Sequence, residues 1–170
     1  LGTNVLTQDQ KNRLDHERIS QLCDIFTHVK SLNIELVVVS SGAVTAGLEE
    51  LKVMTYPEEI HLRQAAASIG QTKLMQLYNS FLKEKGSIGA QILLTESDIH
   101  DRERYLNAKY TIETLLEYGI IPILNENDTV ATKELKLGDN DSLSSSASAL
   151  INADLLVILS NVDGLYDGDP

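Results

Sequence analysis

The chain has 170 residues, 42% of them apolar and 23% charged, which excludes a disordered, collagen-like or coiled-coil protein. No apolar run approaches the roughly 20 residues of a membrane-spanning helix, so we expect no membrane partner. There are 14 Lys and Arg against 25 Asp and Glu, a formal charge of −11 that repels phosphate backbones and argues against nucleic-acid binding. The single cysteine, Cys23, fits the reducing cytoplasm and is predicted to be a small core residue.

Apolar periodicity alternates between helix-like and strand-like along the chain. Helical spacing predicts helices at about residues 15–31, 57–85, 105–118 and 144–152, and a further helix that starts after residue 43. Short apolar runs predict buried strands at residues 34–39, 88–94, 120–124 and 155–159, with a small hairpin at 129–137. The alternation predicts one α/β domain, in which helices cover both faces of a mainly parallel sheet.

Polar clusters stand where the predicted strands end. Residues 40–43 (SSGA), 125–128 (NEND) and 160–161 (SN) each follow a strand, and residues 138–141 (GDND) precede the last helix. Ligands bind α/β sheets outside the carboxyl ends of the strands. We therefore expect the four clusters to converge along one edge of the sheet.

The residue types alone allow more than one role for each cluster. Residues 40–43 suit an anion held at a helix N-terminus or a serine-capped turn. Residues 125–128 suit a polar ligand, with Asp128 meeting an ammonium group, or a solvated turn. Residues 138–141 suit a turn with a helix cap, a Mg²⁺ ion bound through water, or an anchor for a lysine.

Several common signatures are absent from the sequence. It contains no glycine-rich dinucleotide-binding motif, no P-loop and no nucleophile elbow, which disfavours dehydrogenases, P-loop enzymes and α/β-hydrolases. The four histidines lack metal-site spacing, so we expect them to be surface or capping residues and predict no metal-ligating side chain. They are His16, His28, His61 and His100.

Longer stretches of the chain resemble the glutamate 5-kinases, a branch of the amino-acid kinase family. The stretches are VVVSSGAVTAG (37–47), RQAAASIGQ (63–71), AQILLT (90–95), DRERYLNA (101–108), IPILNENDTVA (121–131), GDNDSLS (138–144) and LSNVDGLYDGDP (159–170). They run in order from end to end of the chain, and the combination of NENDTVA with GDND is specific to this branch. The resemblance implies a three-layer α/β/α sandwich with a mainly parallel sheet, the amino-acid kinase fold.

The resemblance also implies an activity. The family branch uses ATP, with Mg²⁺, to phosphorylate the side-chain carboxylate of L-glutamate, which gives L-glutamyl 5-phosphate in the first step of proline biosynthesis. Because both reactants are anions, catalysis of this kind depends on positioning and electrostatic stabilisation rather than on a covalent nucleophile. The implied protein is a cytoplasmic transferase that forms dimers or tetramers.

Carried over by position, the resemblance assigns roles to ten residues. The implied glutamate contacts are Ser41, Gly42, Asn125, Asp128, Asp139 and Asn140. The implied ATP contacts are Gly2, Ser160 and Asn161, where the family often has Thr-Asp or Thr-Asn at the last two positions. Asp141 matches the aspartate that orients catalytic lysines and is the implied catalytic residue.

Two lysines of the family pattern have no counterpart in the sequence. The family has one directly before the Leu-Gly-Thr of residues 1–3 and another in a glycine-rich loop beyond Pro170. We therefore expect residues 1–170 to be a partial, incomplete kinase domain that lacks the first strand and much of the nucleotide site, and to be inactive alone. Lys136 is the basic residue nearest the GDND cluster, but its spacing does not make it a substitute.

Three other functions compete with this interpretation. The first is a different family member, such as acetylglutamate kinase, aspartokinase or uridylate kinase. Asp128 separates acetylglutamate kinase from the preferred function, because a free α-ammonium group needs an anion and an acetylated one does not. The others are a non-catalytic amino-acid sensor on the same fold and a protein whose Asx-rich turns bind nothing.

Overall fold

Three parallel strands form the sheet of the computed structural model, which describes residues 1–8, 13–131 and 140–159. They are β1 (Val38–Val39), β2 (Gly89–Leu94) and β3 (Ile121–Glu126), and β3 lies between the other two. Ile123 of β3 is the register partner of Val38 on one side and of Gln91 on the other. Parallel neighbours need crossover connections, and helices supply them here.

Seven helices lie within the described ranges. They are α1 (Thr3–Leu6), α2 (His16–Ser31), α3 (Ala43–Glu50), α4 (Ile60–Glu84), α5 (Glu96–His100), α6 (Arg102–Glu117) and α7 (Asn140–Leu150). The Asp15 and Asp101 side chains cap α2 and α6 by accepting hydrogen bonds from backbone N–H groups of the first turn. None of these helices is long and apolar enough to cross a membrane.

The sheet separates two hydrophobic cores. Side chains alternate between the faces of a strand, so Ile123 of β3 enters one core and its neighbour Leu124 enters the other. The first core contains α2 and α4, and the second contains α6 and α7. Helices therefore cover both faces, and the predicted three-layer α/β/α arrangement with a parallel sheet is confirmed.

Two glycines allow α3 and α4 to pack with their backbones in contact. A Cβ atom on Gly47 would lie 1.8 Å from the carbonyl oxygen of Ala66, and one on Gly70 would lie 1.9 Å from that of Ala43. No side chain fits at either position without moving a helix. This close approach fixes the N-terminus of α3, which follows the SSGA cluster.

Most of the predicted elements are present. The five predicted helices correspond to α2, α3, α4, α6 and α7, and the predicted strands at 88–94 and 120–124 correspond to β2 and β3. Cys23 is fully buried in the first core, as predicted, and burial raises the pKa of its thiol to about 12. Boundaries differ by up to four residues, as at α7, which begins at Asn140 rather than at residue 144.

The strand predicted at residues 34–39 is much shorter than expected. Only Val38 and Val39 pair with β3. Extending the same register would place Ile34 opposite Gly119, whose φ of +65° turns the chain between α6 and β3. The first residues of the apolar run therefore have no strand to pair with, and Ile34 is 52% exposed.

The prediction of a buried strand at residues 155–159 is wrong for the described chain. The segment is not part of the sheet, and all five of its apolar side chains are exposed. Its one backbone hydrogen bond among the described residues joins Gly2 N–H to Leu159 O at 3.2 Å. An apolar run becomes a strand only where a partner strand accepts its hydrogen bonds, and the described residues provide none.

The predicted hairpin at 129–137 and the predicted start of the helix at residue 57 differ from the structure or lie partly outside the described ranges. Residues 128–130 form a turn, and residues 132–137 of the predicted hairpin lie outside the described ranges. Pro57 precedes α4 by three residues instead of opening it, since the helix begins at Ile60.

Candidate functional site

Three of the residues that the sequence singled out are joined directly by hydrogen bonds. The side-chain amide of Asn140 donates to Ser41 Oγ and, at 3.3 Å, to Asn125 Oδ1. Ser41 follows β1, Asn125 lies near the end of β3, and Asn140 opens α7. The expected convergence of polar clusters at the carboxyl edge of the sheet is therefore present for these three, which we call the amide cluster.

The backbone around Ser41 is firmly held. Ser40 N–H donates to Leu124 O at 2.9 Å, which continues the pairing of β1 with β3 beyond the strand. The buried Ser40 hydroxyl lies 2.9 Å from the Tyr78 hydroxyl of α4. Gly42 then turns the chain with a φ of +99°, a conformation that glycine adopts without strain, and α3 begins at the next residue.

Two helix N-termini meet at the amide cluster. Ser41 stands two residues before α3, and Asn140 is the first residue of α7. Unpaired N–H groups and the helix dipole make each N-terminus attractive to an anion. Asp141, the next residue of α7, is exposed in the first helical turn.

Asn125 is buried, with 2% of its surface exposed, and both ends of its side-chain amide are hydrogen-bonded. Its Nδ2 donates to Gln71 Oε1 of α4 at 2.9 Å, and its Oδ1 accepts from Glu126 N–H at 2.9 Å. A buried amide of this kind is costly unless both ends are hydrogen-bonded. The side chain is therefore held in one orientation.

Asp128 lies in the turn that follows β3. The carbonyl oxygen of Asn127 accepts hydrogen bonds from Val130 N–H and Ala131 N–H, and Gln64 of α4 donates to Ala131 O at 3.1 Å. Burial raises the pKa of Asp128 to about 6. Within the described chain, Asp128 forms no ion pair, so a ligand cation would relieve the cost of ionising it.

A second carboxylate and an aromatic side chain border this turn. Burial, followed by the negative charges of Asp128 and Asp98, raises the pKa of Glu126 to about 7. Burial also raises the pKa of Tyr56. The nearby Arg63 lowers this pKa and the negative charge of Asp128 raises it, so Tyr56 lies within electrostatic range of both side chains. The Arg63 guanidinium is 6.0 Å from the centre of the Tyr56 ring.

The remaining predicted site residues are placed less directly or not at all. Gly42 is buried between the Leu6 and Leu14 side chains, and Gly2 contacts the end of segment 155–159. Asp139, Ser160, Asn161 and Lys136 lie outside the described ranges. Among the described residues, no group of three or more His, Cys, Asp or Glu side chains is arranged to hold a metal ion.

Sequence reasoning missed Gln71, Tyr78, Tyr56 and Arg63. Gln71 and Tyr78 occupy positions of the buried stripe of α4, together with Leu74 and Leu82. A polar side chain at a core position of an amphipathic helix needs a buried partner, and that was the available signal. Tyr56 and Arg63 carry no such pattern, because only the folded chain brings Tyr56 within electrostatic range of both Arg63 and Asp128.

The fold is that of an α/β protein in which hydrogen-bonded polar side chains gather at the carboxyl ends of parallel strands, the edge where such sheets bind ligands. The family model described as "Amino acid kinase family" matches residues 1–170, and the chain belongs to that family.

Individual relatives share a name. The chain is 47% identical to a glutamate 5-kinase of Geobacter metallireducens, 46% identical to one of Pseudomonas putida and 44% identical to one of Caldanaerobacter subterraneus. Each match covers all of this chain and 45% of the relative. The chain thus spans less than half the length of these curated relatives.

Proposed function

We propose that the full-length protein is a glutamate 5-kinase, which transfers the γ-phosphoryl group of ATP to the side-chain carboxylate of L-glutamate in the first step of proline biosynthesis. Family membership and the names of the relatives support the reaction class. The structural observation that carries the proposal is the amide cluster of Ser41, Asn125 and Asn140, which lies at the carboxyl edge of the sheet close in sequence to Asp128.

Asp128 is the proposed partner of the α-ammonium group of glutamate. Its carboxylate is costly to ionise in the unliganded chain, since burial raises its pKa to about 6. A cation bound beside it favours the ionised form and lowers the pKa. The binding of an amino acid with a free ammonium group would therefore recover this cost, whereas an acetylated amino acid would not.

The amide cluster is the proposed partner of the glutamate oxygens. Ser41 Oγ accepts from Asn140, which leaves the hydroxyl hydrogen of Ser41 free to donate to a carboxylate or phosphoryl oxygen. The N-termini of α3 and α7 add positive potential at the same place. Both reactants are anions and the chain carries a formal charge of −11. The positive potential of the two helix N-termini would therefore reduce the repulsion between the chain and its substrates at the amide cluster.

The other assigned roles belong to the same proposal. Gly42 presents its backbone to glutamate, Asp139 tunes glutamate binding, and Asp141 orients the catalytic lysines. The proposed ATP contacts are Gly2, Ser160 and Asn161. The hydrogen bond from Gly2 N–H to Leu159 O supports this grouping, because Leu159 is adjacent to Ser160 in sequence. Mg²⁺ belongs to the proposal as the ion that accompanies ATP and offsets phosphate charge in phosphoryl transfer.

An acceptor screen tests this function. The full-length protein is incubated with ATP and glutamate, N-acetylglutamate, aspartate or UMP. Acyl phosphates are trapped with hydroxylamine, and UDP is measured directly. We expect product with glutamate alone, and a fall of at least about tenfold in kcat/KM for Asn140→Ala, whose loss removes two hydrogen bonds. Asn107→Ala, an exposed change on α6, is the matched control.

Higher activity with N-acetylglutamate, aspartate or UMP would overturn the assignment in favour of another member of the family. Strong glutamate binding with no phosphoryl transfer to any acceptor would favour the non-catalytic sensor.

A further inference from the structure

The buried side chain of Gln71 connects the amide cluster to the far strand of the sheet. Gln71 lies in α4 with 9% of its surface exposed. Its Nε2 donates to Gln91 Oε1 of β2 at 3.0 Å, and its Oε1 accepts from Asn125 Nδ2 at 2.9 Å. Together with Asn140 and Ser41, these side chains form a continuous hydrogen-bond network from β2 to the amide cluster.

A backbone N–H group determines which end of each side-chain amide in this network is the donor. Glu126 N–H is a donor only, and it donates to Asn125 Oδ1 at 2.9 Å, so the Asn125 nitrogen must face α4. Gln71 must then present its oxygen to Asn125 and its nitrogen to Gln91. No other assignment of the two amides keeps all three of these hydrogen bonds.

The donor and acceptor order of these hydrogen bonds also determines the orientation of Asn140 and Ser41. Since Asn125 Oδ1 is held as an acceptor, Asn140 directs its Nδ2 to Asn125 and to Ser41. Ser41 then keeps its hydroxyl hydrogen for a ligand oxygen. Within the described chain Asn140 Oδ1 forms no hydrogen bond, which leaves it to accept from a ligand donor.

We propose that Gln71 is a positioning residue for substrate, which acts through Asn125 to orient Asn140 and Ser41 for glutamate. The inference rests on the proposed function, since glutamate is taken as the ligand of the cluster. Gln71 itself needs no contact with glutamate. Replacing it with an apolar residue would leave a buried donor on Asn125 without an acceptor, so the Asn125 amide would be held only through its oxygen and its orientation would loosen.

Kinetics of the full-length protein test this role. Gln71→Met keeps the volume but removes the acceptor, and we expect the KM for glutamate to rise on the order of tenfold while kcat and the KM for ATP stay within about threefold. Gln71→Glu keeps the acceptor and should restore most of the glutamate KM. Leu82→Ala, a core change in the same helix, is the control for lost stability and should leave the glutamate KM unchanged.

A double-mutant cycle shows whether the effect passes through Asn125. If it does, Gln71→Met adds little to the glutamate KM of Asn125→Ala, whereas independent contributions multiply. Multiplicative effects would overturn the proposal, and so would a Gln71→Met protein with the parent KM or a Gln71→Glu protein as impaired as Gln71→Met.

A spectroscopic readout separates this inference from the proposed function. In ¹⁵N-asparagine-labelled protein without substrate, Gln71→Met should shift the side-chain amide resonances of both Asn125 and Asn140, and Leu82→Ala should shift neither. These shifts are expected even if glutamate proves not to be phosphorylated. A shift at Asn125 alone would overturn the inference that Gln71 orients Asn140.

Discussion

The Asp128 carboxylate is largely buried, and within the described chain it forms no ion pair. Its pKa of about 6 lies above the ordinary aspartate value near 4, so between these pH values the folded chain binds more protons than the unfolded chain. Stability therefore falls as pH rises through this window. The free energy spent on keeping Asp128 ionised at neutral pH is what a bound ammonium group would return.

Replacement of Asp128 tests this cost. In the absence of ligand, Asp128→Asn should raise the free energy of unfolding by about 1–2 kcal/mol at pH 8 and by much less at pH 4, because only the ionised carboxylate is costly. Urea denaturation at the two pH values measures the difference. Asp154→Asn, an exposed aspartate, is the control, and an Asp128→Asn protein that is destabilised at pH 8 would contradict the prediction.

Glu126 reports on the charge state of its neighbour. Burial is the main reason why its pKa is about 7, and the charge of Asp128 is the next. Asp128→Asn should therefore lower the pKa of Glu126 without restoring the ordinary value, since the burial remains. Carboxyl ¹³C titration by NMR measures this shift, and an unchanged or higher pKa would show that the two carboxylates are not coupled.

At the scale of elements, the close packing of α3 against α4 holds the site together. The same two helices carry the turn after Ser41 and the buried Gln71 and Tyr78. Where backbones touch, as they do at Gly47 and Gly70, even one methyl group forces the helices apart. The site geometry therefore depends on residues that lie far from any ligand.

Alanine substitutions at these glycines test the packing. Gly47→Ala and Gly70→Ala should each lower the free energy of unfolding by about 3 kcal/mol or more, at the upper end of the cost of overpacking. Gly2→Ala is the matched control, because its Cβ would meet the nearest atom at 3.7 Å, an ordinary contact. Chemical denaturation gives the values, and a change within about 0.5 kcal/mol at Gly47 would contradict the observed helix contact.

The sequence predicts elements well where local and tertiary signals agree. The helices at α2 and α4 and the strands β2 and β3 have both a clear apolar period and a partner to pack against. Residues 155–159 have the apolar period but no partner strand, and residues 34 and 35 fall opposite Gly119 and Ile120, which precede β3. Periodicity reports the tendency of a segment to be buried, while pairing depends on what the rest of the chain places beside it.

The candidate site divides in the same way. Ser41, Asn125 and Asn140 stood out because clusters of small polar residues interrupt apolar runs, and the parallel topology then brought the clusters together. Gln71 was not predicted, since its role depends on contacts with Asn125 and Gln91, which lie 54 and 20 residues away in sequence. The signal in its own segment was only that a polar residue occupied an apolar stripe.

For the whole molecule, the central feature is how an acidic chain accommodates anionic ligands. The formal charge of −11 would oppose the proposed ligands, glutamate and ATP, at long range, whereas the N-termini of α3 and α7 and the donors of the amide cluster would attract them locally. In the proposed site, Asp128 adds a negative charge three residues after Asn125. This pattern of charges fits an amino acid, which carries a cation and anions within a few bonds of each other.

Calorimetric titration of the full-length protein with L-glutamate and with N-acetyl-L-glutamate measures whether Asp128 recognises a free ammonium group. At pH 7.5 glutamate should bind at least about tenfold more tightly than its acetylated analogue, because only glutamate offers an ammonium group to Asp128. Asp128→Asn should remove this preference, and Asp154→Asn should keep it. Equal or tighter binding of N-acetylglutamate to the parent protein would contradict the account.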